Sequence, residues 1–111
     1  MIDHLGINCA GYATSREFYD VVLGVLGFSR QTSFWIYEGA ETGIEPNREV
    51  HIAFAAADEA GVRAFHAAAV GLGAESLHAS RLWPEYHPGY FGAFVRDPDG
   101  NNVEAVWHGG Q

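Results

Sequence analysis

The chain has 111 residues, 48% hydrophobic and 14% aromatic, which suits one domain with a real core. Six basic residues against fourteen acidic ones give a net charge of −8 with histidine neutral. That balance argues against a nucleic-acid footprint and for simple solubility or a cationic ligand. No apolar run approaches the roughly 20 residues of a membrane span, and the N-terminus lacks a signal-peptide layout. The lone Cys9 cannot close an internal disulfide, so a cytoplasmic protein is expected.

In chain order, Leu5 and Ile7 alternate with His4, Gly6 and Asn8, which predicts a strand over residues 2–8. Thr14-Ser15-Arg16-Glu17 has the capping-box pattern, with Thr14 as cap. Phe18, Val22, Val25 and Leu26 then follow helical spacing until Gly27. Short strands are predicted at Phe28–Gln31 and Phe34–Tyr37, and 39–49 reads as a linker. A strand over Val50–Ala56 leads to a helix capped by Asp58, with Val62, Phe65, Ala69 and Val70 on its apolar stripe. The rest reads as a strand at Ala74–His78, an aromatic loop over 80–89, and a strand at Tyr90–Arg96. The turn Asp97-Pro98-Asp99-Gly100-Asn101 then leads into a last strand at Asn102–His108.

The two halves echo each other. At an offset of 47 residues His4 matches His51, Phe18 matches Phe65 and Gly24 matches Gly71. A duplicated strand–helix unit places two imidazoles at equivalent points. The second module is βαβββ, whereas the first is too short for all its strands.

Strand period decides which side chains share a face. Ile52 and Phe54 should pack under the helices, as should Val103, Ala105 and Trp107. His4, His51 and Glu104 then all lie on the non-helix face. Two imidazoles and one carboxylate are a donor set for a first-row divalent ion such as Zn, Mn, Fe or Ni, with positions left open. The ordinary role of a strand histidine is a solvated or hydrogen-bonded one; the repeat is what singles these two out. The loop Trp83–Tyr90 has a bland reading, aromatics covering a sheet edge, and a sharper one, a ligand wall. In the second reading Trp35, Tyr86, His87, Tyr90 and Phe94 surround a small molecule above Glu104. His66 and His78 read as surface residues.

The strand His4-Leu5-Gly6-Ile7, the helix start Ser15-Arg16-Glu17-Phe18-Tyr19, the strand His51-Ile52-Ala53-Phe54 and the ending Asp97-Pro98-Asp99-Gly100-Asn101-Asn102-Val103-Glu104 resemble the vicinal oxygen chelate superfamily. This is the glyoxalase, bleomycin-resistance and extradiol-dioxygenase group. The resemblance covers nearly the whole chain, and its last motif is the most specific. It implies an α+β fold of two tandem βαβββ modules, with a cupped mixed sheet and helices outside, often completed by dimerisation. Module one would span about 1–38, the linker 39–49 and module two about 50–108. Carried over by position, the metal ligands are His4, His51 and Glu104. A four-ligand site would take its remaining donor from the last strand of module one. Aligning Phe34-Trp35-Ile36 with Val103-Glu104-Ala105 puts Trp35 there, and tryptophan cannot ligate.

Two function classes follow. The first is a metal-dependent enzyme, binding a small substrate through adjacent oxygens as a lyase, isomerase, transferase or dioxygenase. The second is a non-catalytic binding protein of the drug-sequestering, bleomycin-resistance type. It is supported by the acidic balance, the aromatic loop and the missing fourth ligand. A structural remnant of the fold is a weaker third. A homodimer with a small-molecule ligand is expected, with neither nucleic acid nor membrane as partner.

Overall fold

Alternation builds the first strand, β1 (Leu5–Cys9), whose Ile7 and Cys9 are buried. The structure, a computed structural model, describes residues 3–28, 34–38, 43 and 45–109; the side chains of Trp35 and Glu38 also lie outside the described part. Helix α1 (Tyr12–Val25) buries Phe18, Tyr19, Val22 and Leu23. It starts ahead of the predicted capping box. Gly11, extended at φ −122°, is the N-cap and offers no side chain. Its carbonyl accepts from Ser15 N at 3.0 Å, closing the first turn, so Thr14 lies inside the helix and cannot cap it.

Strand β2 (Phe34–Glu38) follows. Of the strand expected at Phe28–Gln31, Phe28 is not in a strand and 29–31 lie outside the described residues. Next come β3 (His51–Ala55) and α2 (Glu59–Gly71). Asp58 caps α2 as expected, its Oδ1 accepting from Gly61 N at 2.8 Å. Strands β4 (Ser76–Leu82), β5 (Phe91–Arg96) and β6 (Asn102–Trp107) complete the fold. Strand β4 runs past the predicted end at His78 into what read as loop. Antiparallel pairing with β5 carries it to Leu82 opposite Phe91, and Trp83 N donates to Tyr90 O at 2.7 Å beyond that. Ser80 and Arg81 have no strong strand preference; the partner strand decides.

Among the described residues, β1 and β2 form a parallel pair, and the other strands form a mixed sheet in the order β3-β6-β5-β4. This is an α+β fold whose second half has the full βαβββ order. The helices pack on each other, α1 against β2 and α2 against β4, β5 and β6. One buried cluster joins Phe18 and Tyr19 of α1, Val62 and Phe65 of α2, and Ile52, Ala93, Val95, Val103 and Ala105 of the large sheet. Helix α2 therefore covers one face of that sheet, with α1 packed beside it. Strand parity leaves His51, Gly92, Phe94 and Glu104 on the other.

The Asp97–Asn101 turn clamps the two halves together. Tyr19 donates its hydroxyl to Asp97 Oδ2 at 2.5 Å, and Asn101 Nδ2 donates to the same oxygen at 3.0 Å. Asn101 also accepts from Val50 N at 3.1 Å and donates to Asn47 O at 2.8 Å. The most family-like motif thus holds α1 and the start of β3 in place.

Candidate functional site

Parallel pairing of β3 with β6 sets His51 beside Asn102 and Ala53 beside Glu104. His51, two residues before Ala53, shares the face of Glu104. Glu104 is only 1% exposed, flanked by Val103 and Ala105, both wholly buried. A carboxylate in such a place needs partners, and it has two. His51 Nε2 lies 2.9 Å from Oε1, and the Tyr90 hydroxyl donates to Oε2. His51 is the open end of this chain of groups, its side chain 52% exposed.

Gly92 gives the arrangement room. A Cβ there would stand 3.2 Å from Glu104 Oε2 and 3.3 Å from Tyr90 Cε1. A side chain there would press on the hydroxyl–carboxylate contact. Burial first, then the hydrogen bond and charge of Glu104, push the Tyr90 hydroxyl well above the ordinary phenol range. Tyr90 therefore remains a donor at neutral pH.

Around Tyr90 the aromatic loop forms a continuous wall. Tyr86, His87 and His108 rings lie 4.9, 5.3 and 5.3 Å from it. His87 Nε2 is 2.8 Å from His108 Nδ1, and Gly89 and Gly109, both at positive φ, approach closely enough to bring the loop onto the end of β6. Phe94 pairs across the strands with Glu104, and His51 lies 5.9 Å from its ring. Tyr86 is the exposed shelf of this wall, 56% accessible and stacked on Trp83.

Of the predicted site residues, His51, Glu104, Tyr90 and Phe94 come together directly, with Tyr86 and His87 adjoining through Tyr90. His4 does not join them within the chain. It precedes β1, in a different sheet from β3 and β6, is exposed, and contacts Asp3 through Nδ1 at 2.8 Å. Among the described residues no three His, Cys, Asp or Glu side chains stand close enough to hold one ion. Trp35 pairs with Gly6 in the same register that sets Glu104 beside Ala53, so β2 and β6 are equivalent at these positions. The Trp35 side chain lies outside the described residues.

Three further residues border the face beyond the predicted site residues: Trp83, already part of the predicted loop, His108, which parity placed on the face of Glu104, and His78, which read as a surface residue. His78 lies 5.6 Å from Phe94 and 4.8 Å from Trp83, Trp83 donates Nε1 to Gly92 O at 3.0 Å, and His108 meets Tyr90. The usable signal was parity: His108 shares the face of Glu104 along β6. Elsewhere, a cleft of about 510 Å³ between the start of α1, the end of α2 and the β5–β6 turn includes none of these residues.

No protein-family model matches the chain, and no curated protein matches it. Solved structures do. A glyoxalase/bleomycin resistance protein from Albidiferax ferrireducens T118 is 23% identical with TM-score 0.79, covering 95% of this chain and 96% of that one. A glyoxalase/bleomycin resistance protein/dioxygenase family enzyme from Burkholderia phytofirmans PsJN is 14% identical with TM-score 0.72, covering 96% and 98%. A lactoylglutathione lyase from Agrobacterium tumefaciens is 19% identical with TM-score 0.67, covering 96% and 92%. No membrane-length apolar helix occurs among the described residues. With α2 over one face of a mixed sheet, α1 beside it and these structures matching end to end, the chain has the fold of the glyoxalase/bleomycin resistance/dioxygenase superfamily, the vicinal oxygen chelate fold.

Proposed function

We infer that this chain is a cytoplasmic, divalent-metal-dependent enzyme of glyoxalase or dioxygenase type, acting on a small molecule held through adjacent oxygens. The His51–Glu104 pair carries this reading. Its nitrogen and oxygen are 2.9 Å apart at the edge of a buried carboxylate. Donors about 2.1 Å from one ion at neighbouring positions stand roughly 3 Å apart, so the pair suits Zn, Mn, Fe or Ni. Such an ion supplies Lewis-acid stabilisation of negative charge developing on a substrate oxygen. The protein's own part is to bind and orient: Glu104 provides charge, and Tyr86, His87, Tyr90 and Phe94 offer an aromatic wall beside it.

His4 completes the set from a second copy of the chain. Within one chain it belongs to the other sheet, and the edges of the two-stranded β1–β2 pair invite cover. A C₂ homodimer covers them and brings first-module residues of one copy to second-module residues of the other.

Mixing variants tests this. His4→Ala and His51→Ala proteins, purified without a metal-affinity tag, should each lack the ion. After subunit exchange, a shared site leaves one of the two sites intact in every mixed dimer, so metal content should partly return. No return, with wild type loaded and both variants empty, would mean that the site is not shared between copies; a His4→Ala protein that keeps its ion would place His4 outside the site, and a metal-free wild type after soaking would end the enzyme reading.

A second reading, a drug-sequestering protein, is favoured by one observation. Both Glu104 oxygens already have partners within the chain, and the wall beside them is aromatic. Glu104→Gln separates the two: an enzyme loses metal and activity together, whereas a sequestering protein keeps its affinity for a neutral aromatic ligand.

A further inference from the structure

Two imidazoles tie the aromatic loop Trp83–Tyr90 to the end of β6. His87 Nε2 lies 2.8 Å from His108 Nδ1, and the rings are stacked, 5.1 Å apart at 18°. Their neighbours fix the proton positions. His87 Nδ1 lies 2.7 Å from Pro88 O, and a carbonyl only accepts, so that nitrogen carries a hydrogen. In a neutral His87, Nε2 is then an acceptor, and His108 Nδ1 donates to it. His108 Nε2 is left as the basic nitrogen of the pair. A first added proton goes there and keeps the contact, now charge-assisted. A second proton has only His87 Nε2 to take it. Two N–H donors would then face each other at 2.8 Å on two stacked cations.

We propose that His87 and His108 form an acid-sensitive latch on the aromatic wall: the loop is closed on β6 while the pair holds no added proton or one, and is released when both imidazoles are charged. Imidazole is the side chain that changes charge between about pH 5 and 8, which sets the working range. The surrounding groups do not offset the second charge. Two carboxylates belong to the same elements: Glu85 of the loop, engaged with Arg81 at 3.2 Å, and Glu104 of β6, engaged with His51 and the Tyr90 hydroxyl. Tyr90, 5.3 Å from both rings, and Tyr86 against it are the other titratable groups packed here. The base of the loop has separate ties, Trp83 N to Tyr90 O at 2.7 Å and Trp83 Nε1 to Gly92 O at 3.0 Å. Opening therefore moves the tip, Tyr86 to Gly89, and leaves Trp83 in place. The effect on a ligand rests on the wall being ligand-facing, as proposed above; the latch itself does not.

Protein free of metal and ligand is followed by NMR between about pH 8 and 5. The histidine ring protons report charging, and heteronuclear NOEs of the Tyr86, His87 and Gly89 amides and of the Trp83 indole report fast mobility. In wild type the three amide NOEs should drop as the second imidazole charges, while the Trp83 indole stays rigid. His108→Asn keeps an amide donor for His87 and cannot become charged, so its loop amides should stay rigid throughout. Loop amides that stay rigid in wild type while both rings charge, or that loosen alike in His108→Asn, would overturn the latch. So would a second ring that never charges, or a Trp83 indole that loosens with the tip, which reports general acid unfolding. Neither an ion nor a small molecule enters the measurement, so its failure leaves the enzyme and sequestering readings standing, and their failure leaves the latch standing.

Discussion

His51 and Glu104 are 53 residues apart in the chain, yet an imidazole nitrogen of one lies 2.9 Å from a carboxylate oxygen of the other. The contact joins the first strand of the second half to its last, across a parallel pairing that leaves one partner open to solvent and the other buried. That asymmetry makes Glu104 the costly residue of the two. Glu104→Gln keeps the volume and an acceptor and should cost about 1–2 kcal/mol. Glu104→Ala strands the Tyr90 hydroxyl and opens a hole, and should cost about 3 kcal/mol or more. Urea denaturation of both variants measures the gap; equal losses would mean that neither the filled volume nor an acceptor for Tyr90 contributes.

Gly92→Ala tests the notch. The added methyl would meet Glu104 Oε2 at 3.2 Å and Tyr90 Cε1 at 3.3 Å, and the backbone oxygen of Ala105 at 3.4 Å. One neighbour is backbone and the others are held by each other, so relief is limited. A loss of about 1–3 kcal/mol is expected, as for other overpacked interiors. An unchanged melting temperature would show that the Tyr90–Glu104 contact yields freely.

The Tyr19–Asp97 bond predicts alkaline sensitivity. Burial, followed by the charge and hydrogen bond of Asp97, raises the Tyr19 hydroxyl far above the ordinary phenol range. The folded state then holds a proton that the unfolded chain releases near pH 10. Stability from this group is intact below that pH and declines as pH rises above it, by up to about 1.4 kcal/mol per pH unit. Tyr19→Phe should lose about 1–3 kcal/mol at neutral pH, and its stability should fall less steeply above pH 10. Denaturation midpoints at pH 8, 10 and 11 for both proteins decide the point.

The two helices begin differently, and their caps should respond differently. Asp58→Ala removes a side-chain cap and should cost about 1 kcal/mol. Gly11→Ser adds a hydroxyl where the backbone is already extended and the nearest side-chain atom, Thr14 Oγ1, is 3.9 Å from the new Cβ. A gain of a few tenths of a kcal/mol is expected. A destabilised Gly11→Ser protein would mean that the bare N-terminus of α1 is required.

Much of this site was legible in the sequence because strand parity is local. Once Val103 and Ala105 face a core, Glu104 must face away from it, and the same holds for His51 beside Ile52. The 47-residue offset equated His4 with His51, and the observed registers carry that equivalence through to Trp35 and Glu104. What parity cannot supply is which faces meet. That Tyr90 reaches Glu104 depends on β5 pairing antiparallel with β6 and on a missing side chain at Gly92. That His4 stands apart from His51 depends on β1 and β3 lying in different sheets. The length of β4 and the inclusion of His78 and Trp83 were likewise set by a partner strand far along the chain. Local pattern determines the face of a residue through fixed backbone geometry; pairing between distant segments, which carries no local mark, determines its neighbours.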